Sequence, residues 1–352
     1  MNRGIPLSQL AAKIEGNTAL KADYVASVVG LQMTADEDGT VAIQHSSVGS
    51  LPILDIAHKQ IGEYAGIPGR YYDRMRREAP QLLADNVNRW FRDGGTDRRM
   101  IRTLGGDARA FLSDRYQRIE HEEIAETVLP ILADVPGIQV VSAEVTERRM
   151  YLVATTPAIQ GEVKVGDVVQ AGVMISNSEV GMGAVDISPI LYRLVCLNGA
   201  KVNDARMRRT HVGRRISEGE DLNALFSDEA KRADDRALLL KVRDVVRGAL
   251  DATVFNRTVE KARGLTEARV TGNPTAAVEM LAKKVGITSE NERGGLLRSL
   301  IEGGDLSAWS LLNAVTAQAH TAPYDRSIEL VEAGGALLDL PATEWRTILE
   351  AA

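Results

Sequence analysis

The sequence predicts an α+β fold: an antiparallel sheet with a β-β-β-α core, flanked by helices, followed by a mainly helical C-terminal third. Three observations predict it. Apolar, β-branched runs at Ile138 to Val145, Arg149 to Thr155 and Val168 to Ser176 are separated by turn residues, the pattern of successive hairpins. Directly behind them, Ile187 to Cys196 sets Ile190, Leu191, Leu194 and Val195 at helical spacing, with Ser188 placed to cap and Pro189 at the first helical position. Beyond about Ser217 the composition turns to Ala, Leu, Arg and Asp without a repeat period. The expected divisions are an N-terminal α/β segment at 1–99, an α+β core with a basic tail at 100–216, and a helical region at 217–352.

In chain order, Leu7 to Ile14 is a short amphipathic segment, and strand-like pieces at Tyr24 to Met33 and Thr40 to Ser46 flank an acidic turn ending in Gly39, which predicts a hairpin. Pro52 to Ala84 reads as two short helices broken at Gly66, with Pro68 opening the second. Met100 to Ile119 predicts two strands around Gly105-Gly106. His121 then begins a helix whose first turn carries Glu122 and Glu123, where the helix dipole favours carboxylates. Asn177, Gly181 and Gly183 supply a hairpin tip after Ser176, and Asn198-Gly199 would end the helix that follows. In the last third, helical patterns run from Asp221 to Arg263, from Pro274 to Lys284, from Ser307 to Ala319 and from Ala342 onward; Trp309, Leu312 and Val315 share one face.

Charge narrows the function classes. The 352 residues hold 42 Lys and Arg against 48 Asp and Glu, so contact with a polyanion has to be local rather than spread over the surface. The absence of a long apolar run and of a secretory h-region predicts a cytoplasmic protein with no membrane partner. One cysteine and five histidines leave little for a metal site, and no metal or cofactor is expected. Gly105-Gly106, Gly181-Met182-Gly183 and Gly303-Gly304 lack the Lys-Ser/Thr of a phosphate-binding loop, which argues against ATP chemistry.

Two segments concentrate positive charge. From Arg70 to Arg118 there are twelve arginines and no lysine, against seven acidic residues; forked hydrogen bonding to phosphates and Arg–Asp pairing on helices both produce this composition. The second segment carries Arg193, Lys201, Arg206, Arg208, Arg209, His211, Arg214 and Arg215 against Asp204. Tyr71, Tyr72, Tyr116 and Tyr192 each lie within four residues of an arginine, an arrangement suited to base stacking beside phosphate contacts as well as to core packing. Cys196 and His211 are the one nearby nucleophile and base pair, although a cysteine behind Leu194 and Val195 usually packs as a small hydrophobe.

Several stretches together carry a resemblance: GIPGRYYDRM with NVNRWF, then RAFLSDRYQRI, YRLVCLNGAKV with RRTHVGRR, and WSLLNAVTAQAH. Over roughly residues 50 to 325 the chain resembles the phage/plasmid-like family of uncharacterised bacterial and phage proteins, a domain of unknown function. In topology alone, three strands and a helix beside basic residues are similar to the core of single-strand annealing proteins. That likeness implies homo-oligomeric rings or filaments holding single-stranded DNA along a basic groove.

The leading expectation is an ATP-independent protein of a phage or mobile element that binds single-stranded DNA and promotes annealing or recombination. Tyr192, Arg193, Lys201, Arg206, Arg208, Arg209, His211, Arg214 and Arg215 are the expected contacts, with no catalytic residue assigned. The alternatives are a hydrolase or nucleotide-modifying enzyme built on Cys196 and His211, and a host-defence or anti-defence factor whose basic stretch meets an acidic protein.

Overall fold

A computed structural model describes residues 1–46, 48–203, 206–209 and 228–352. The fold is α+β, with antiparallel sheets and a helical C-terminal region. Helix α1 (Leu7–Leu20) leads into β1 (Lys21–Ser27); a single turn at Val28–Gly30 separates it from β2 (Gln32–Ala35), where one continuous strand piece was expected. Strands β3 (Val41–His45) and β4 (Gly49–Pro52) complete a small meander with β2. Three helices follow, α2 (Asp55–Tyr64), α3 (Gly69–Glu78) and α4 (Pro80–Arg92), rather than two, because Pro80 starts a fresh helix immediately after Ala79. Strands β5 (Arg98–Leu104) and β6 (Asp107–Ser113) form the expected hairpin and add to β1. Tyr72, Met75, Leu83, Val87, Phe91 and Phe111 close the core of this first lobe.

Helix α5 (His121–Ala133) begins with a capping box between Glu120 and Glu123. It leads to the principal sheet, in which β7 (Gln139–Val145), β8 (Met150–Glu162), β9 (Val168–Asn177), β10 (Val185–Arg193) and β11 (Asn198–Lys201) follow one another as antiparallel neighbours. A short β12 (Met207–Arg209) pairs with β10. Helices α6 (Asp228–Ala249), α7 (Ala252–Glu267), α8 (Pro274–Lys284), α9 (Glu290–Gly303), α10 (Ala308–Ala317), α11 (Tyr324–Leu338) and α12 (Ala342–Leu349) make up the C-terminal region. Asn273, Asp251 and Ser307 cap α8, α7 and α10 through their side chains.

The expected helix at Ile187 to Cys196 is a strand. The β-β-β-α core is therefore a β-meander, and Asn198-Gly199 opens β11 instead of ending a helix. The physical reason is two-sided burial: Tyr151, Val153 and Ile190 meet the C-terminal helices, while Leu152, Ile175 and Ile187 meet α1, α5 and α6. A strand covered on both faces reads as an unbroken apolar run, and a ten-residue run of that kind also fits a helix. Pro189 is accommodated because β12 pairs with Val185–Ile187 and β11 with Ile190–Arg193, leaving a gap opposite the proline nitrogen. Its carbonyl, on the same side, accepts the Val202 N–H at 2.8 Å.

Candidate nucleic-acid interface

Four of the nine expected contact residues point into the protein. Tyr192 is buried between the principal sheet and the C-terminal helices. Arg193 donates to Asp167, whose second oxygen accepts the Trp309 indole N–H at 2.8 Å. Lys201, 3% exposed, donates to Asp186 at 3.2 Å and to Glu332. Arg206 donates from Nε to the same Asp186 at 3.0 Å. Burial disfavours the Asp186 carboxylate, but Arg206 and Lys201 outweigh it and hold its pKa below the ordinary value. A buried cation without such a partner costs several kcal/mol, on the order of the desolvation of an ion. Tyr192, Arg193, Lys201 and Arg206 thus serve the interior instead of lining a groove. Arg208 is exposed on β12, and Arg209 pairs opposite Val185 on the same strand. His211, Arg214 and Arg215 lie outside the described residues.

The thiol alternative changes in the same way. Cys196 lies in the turn after β10, not on a helix, and its Sγ receives the Arg193 Nη1–H at 2.9 Å. His320 approaches its carbonyl at 2.6 Å, not its sulfur. Among the described residues no group of three or more His, Cys, Asp or Glu is arranged to hold a metal ion.

The arginine-rich stretch from 70 to 118 divides into two populations. Arg74, Arg76, Arg89, Arg102, Arg109 and Arg118 pair with carboxylates, so ion pairing explains half of the twelve. Arg70, Arg77, Arg92 and Arg98 are exposed and make no ion pair among the described residues. The first three lie on α3 and α4, whose buried stripes are Tyr72 and Met75 on α3, and Leu83, Val87 and Phe91 on α4. Off those stripes stand Tyr71 at 48% exposure and Trp90 at 47%, with Leu82 beside them in the sequence of α4. Trp90 is steadied by its indole N–H on Asn86 at 3.2 Å, and Asn86 reaches the Met75 sulfur of α3. Of the stacking candidates, Tyr72 is buried with its hydroxyl against His58 at 2.9 Å, and Tyr116 donates to the Ser178 carbonyl. Tyr71 alone of the four combines solvent exposure with a position among unpaired arginines. Trp90 was not among the expected contacts, although its place between Arg89 and Arg92, off the Leu83–Val87–Phe91 stripe, is a legible sign of an outward-facing ring.

The molecule is thus an α+β protein with a meandering sheet between helical layers and an arginine-rich, aromatic helical surface on its first lobe. Residues 110–333 match the family described as Domain of unknown function (DUF932), and the chain belongs to that family. No curated protein and no solved structure matches it. The family match begins inside β6, so α3 and α4 precede it. Among the described residues no helix is long and apolar enough to cross a membrane.

Proposed function

We propose that the protein binds single-stranded DNA across α3 and α4, without ATP, and acts in annealing or recombination as a homo-oligomer in a phage or mobile element. The observation that carries the reading is the pairing of the two half-exposed rings, Tyr71 and Trp90, with Arg70, Arg77 and Arg92 on the same two helices. Rings offer stacking platforms to unpaired bases, and unpaired guanidiniums fork onto phosphates. Duplex bases are already stacked on one another, so the same surface favours single strands. Annealing is the less supported part, since the helix on which the annealing-protein likeness rested is strand β10.

The test is fluorescence anisotropy of a labelled 40-base single strand and its duplex at two salt concentrations, with Trp90→Ala and an Arg70/Arg77/Arg92→Glu triple variant. Stacking is worth roughly 1–3 kcal/mol per base, so Trp90→Ala weakens binding about fivefold to a hundredfold. Three phosphate contacts give a slope of log affinity against log salt of about −2. Equal affinity for duplex, or unchanged binding by the triple variant, refutes this surface; a strand-annealing assay then tests the second part separately. If neither nucleic acid binds at low salt, the surface is read as a contact for an acidic protein partner.

A further inference from the structure

The outermost strands of a sheet carry outward backbone groups that need partners, and most such edges here are covered. The Asn88 side chain of α4 bonds both backbone groups of Met33 on β2, at 2.7 and 2.8 Å. On β6, the Ala108 carbonyl accepts the Leu54 N–H at 3.0 Å, and the Phe111 N–H donates to Gln60 Oε1 at 2.7 Å. Arg3 and Ile5 bond both backbone groups of Ala143 on β7, and the Lys201 carbonyl of β11 abuts Gly335 of α11. Strand β1 is different. It ends its sheet with β5 on one side, and among the described residues no element runs along the other.

The Gly105 N–H donates to the Leu20 carbonyl at 3.1 Å and the Val28 N–H to the Asp97 carbonyl at 3.0 Å. An antiparallel ladder bonds alternate residues, so Ala22, Tyr24 and Ala26 are the ones that bond β5. Asp23 and Val25 turn their N–H and C=O outward, where none of these groups meets a hydrogen-bond partner among the described residues. Lys21 and Ser27 each have one outward group already spent. The Lys21 N–H goes to the Thr18 carbonyl, and the Ser27 carbonyl to the single turn that this residue caps. The devices that usually blunt an edge are missing. β1 has no proline, its seven residues pair with β5 without a bulge, and its charged side chains are drawn into ion pairs, Lys21 with Glu179 and Asp23 with Arg102. Leu20, Val25 and Val29 stand 57%, 44% and 50% exposed along it.

We propose that β1 pairs antiparallel with β1 of a second copy of this chain, about a two-fold axis that sets Tyr24 opposite Tyr24. The backbone itself selects this register. Asp23 then faces the partner's Val25, and Lys21 faces the partner's Ser27. The free groups of Asp23 and Val25 bond each other across the axis, and each Ser27 N–H meets a free Lys21 carbonyl. The spent groups, Lys21 N–H and Ser27 C=O, fall opposite each other and need nothing. Sliding the second copy by two residues in either direction sets a free group of Asp23 or Val25 against a spent one. An unrelated strand would leave its own N–H and C=O unmet beside the spent groups, whereas a second β1 has the matching two already bonded. The contact rests on the homo-oligomer part of the proposed function and involves neither nucleic acid nor any residue of α3 or α4.

The experiment is size-exclusion chromatography with light scattering on the purified full chain, without nucleic acid and over a range of concentrations, beside cysteine cross-linking. The wild type is expected at twice the mass of the chain. Val25→Pro removes an N–H that faces away from β5, so the fold and its circular dichroism persist while the mass halves. Tyr24→Cys is expected to cross-link to its own copy under mild oxidation, since facing residues of a non-hydrogen-bonded pair lie about 4.5 Å apart at Cα. Ala22→Cys is not, its two copies being about 13 Å apart along the strands. The wild type, whose one cysteine is Cys196, is the control. Should Val25→Pro fail to fold, the cross-linking pair still decides. A single-chain mass at every concentration overturns the proposal. So does a dimer whose mass a folded Val25→Pro leaves unchanged, or cross-linking by Ala22→Cys in place of Tyr24→Cys. The Arg70/Arg77/Arg92→Glu variant keeps the wild-type mass, so this contact and the DNA-binding surface fail separately.

Discussion

Glu179→Gln is the sharpest test of how the first lobe is joined to the principal sheet. The side chain keeps its shape but loses its charge, leaving the Lys21 ammonium and Arg109 without their shared carboxylate. Breaking one side of a buried ion cluster costs about 3–5 kcal/mol. An independent route gives a similar figure. Burial opposes ionisation of Glu179, but Lys21, Arg109 and the His121 N–H outweigh it and draw the carboxyl from 4.5 to about 2. At about 1.4 kcal/mol per unit that is roughly 3 kcal/mol. The folded pKa is depressed, so this stability is fully present above about pH 4.5 and fades as the pH falls toward 2. Urea unfolding of both proteins should show a difference of about 3 kcal/mol at pH 7, shrinking to roughly 1.5 kcal/mol at pH 3. A difference below about 1 kcal/mol at pH 7, or one that stays flat down to pH 3, refutes the cluster as the joint between the two parts.

Other consequences are as direct. A Cβ on Gly335 of α11 would lie 1.6 Å from the Lys201 carbonyl oxygen, so Gly335→Ala should cost at least about 3 kcal/mol in urea unfolding by forcing α11 off β11. Burial, reinforced by Arg76, lowers the His58 pKa to about 3; its ring resonances should therefore stay flat in an NMR titration from pH 8 to 5, whereas an exposed histidine moves. Tyr72→Phe removes the hydroxyl against that ring and should cost about 1–3 kcal/mol by the same unfolding assay. Trp90→Ala should leave the unfolding midpoint within about 0.5 kcal/mol of the wild type, which separates its proposed binding role from a structural one.

The hairpins were legible where polar turns punctuate the strands: Gly105-Gly106 between β5 and β6, and Thr146 to Arg148 between β7 and β8. The caps Asn273 and Ser307 marked their helices through local chemistry alone. β10 was not legible, because whether Ile187 to Leu191 is covered on one face or two depends on α6 and α7, which lie beyond it in the sequence and meet it only in the fold. The candidate site failed for a related reason. Lys201 and Arg206 look like a cationic tail in sequence, yet Asp186 and Glu332, which claim Lys201, are 15 and 131 residues distant. Arg70 and Tyr71 could be read from helical spacing, since an outward residue on an amphipathic helix needs no distant partner.

The two-sided cover of the principal sheet sets a timetable for biosynthesis. α1 and α5 precede the meander and can shield one face as soon as it pairs. The other face is closed later, first by Phe255 and Val259 of α7 and last by Trp309, Ile328 and Trp345, which leave the ribosome more than a hundred residues after β10. At roughly 5–20 residues per second, the cover over Tyr151, Val153 and Ile190 is completed only about 6 to 30 seconds after β10 emerges on the nascent chain. During that interval a β-rich intermediate presents an oily face to the cell. Its yield should therefore follow holdase capacity more closely than the stability of the finished fold, and stalling upstream of α10 should send the chain to aggregates.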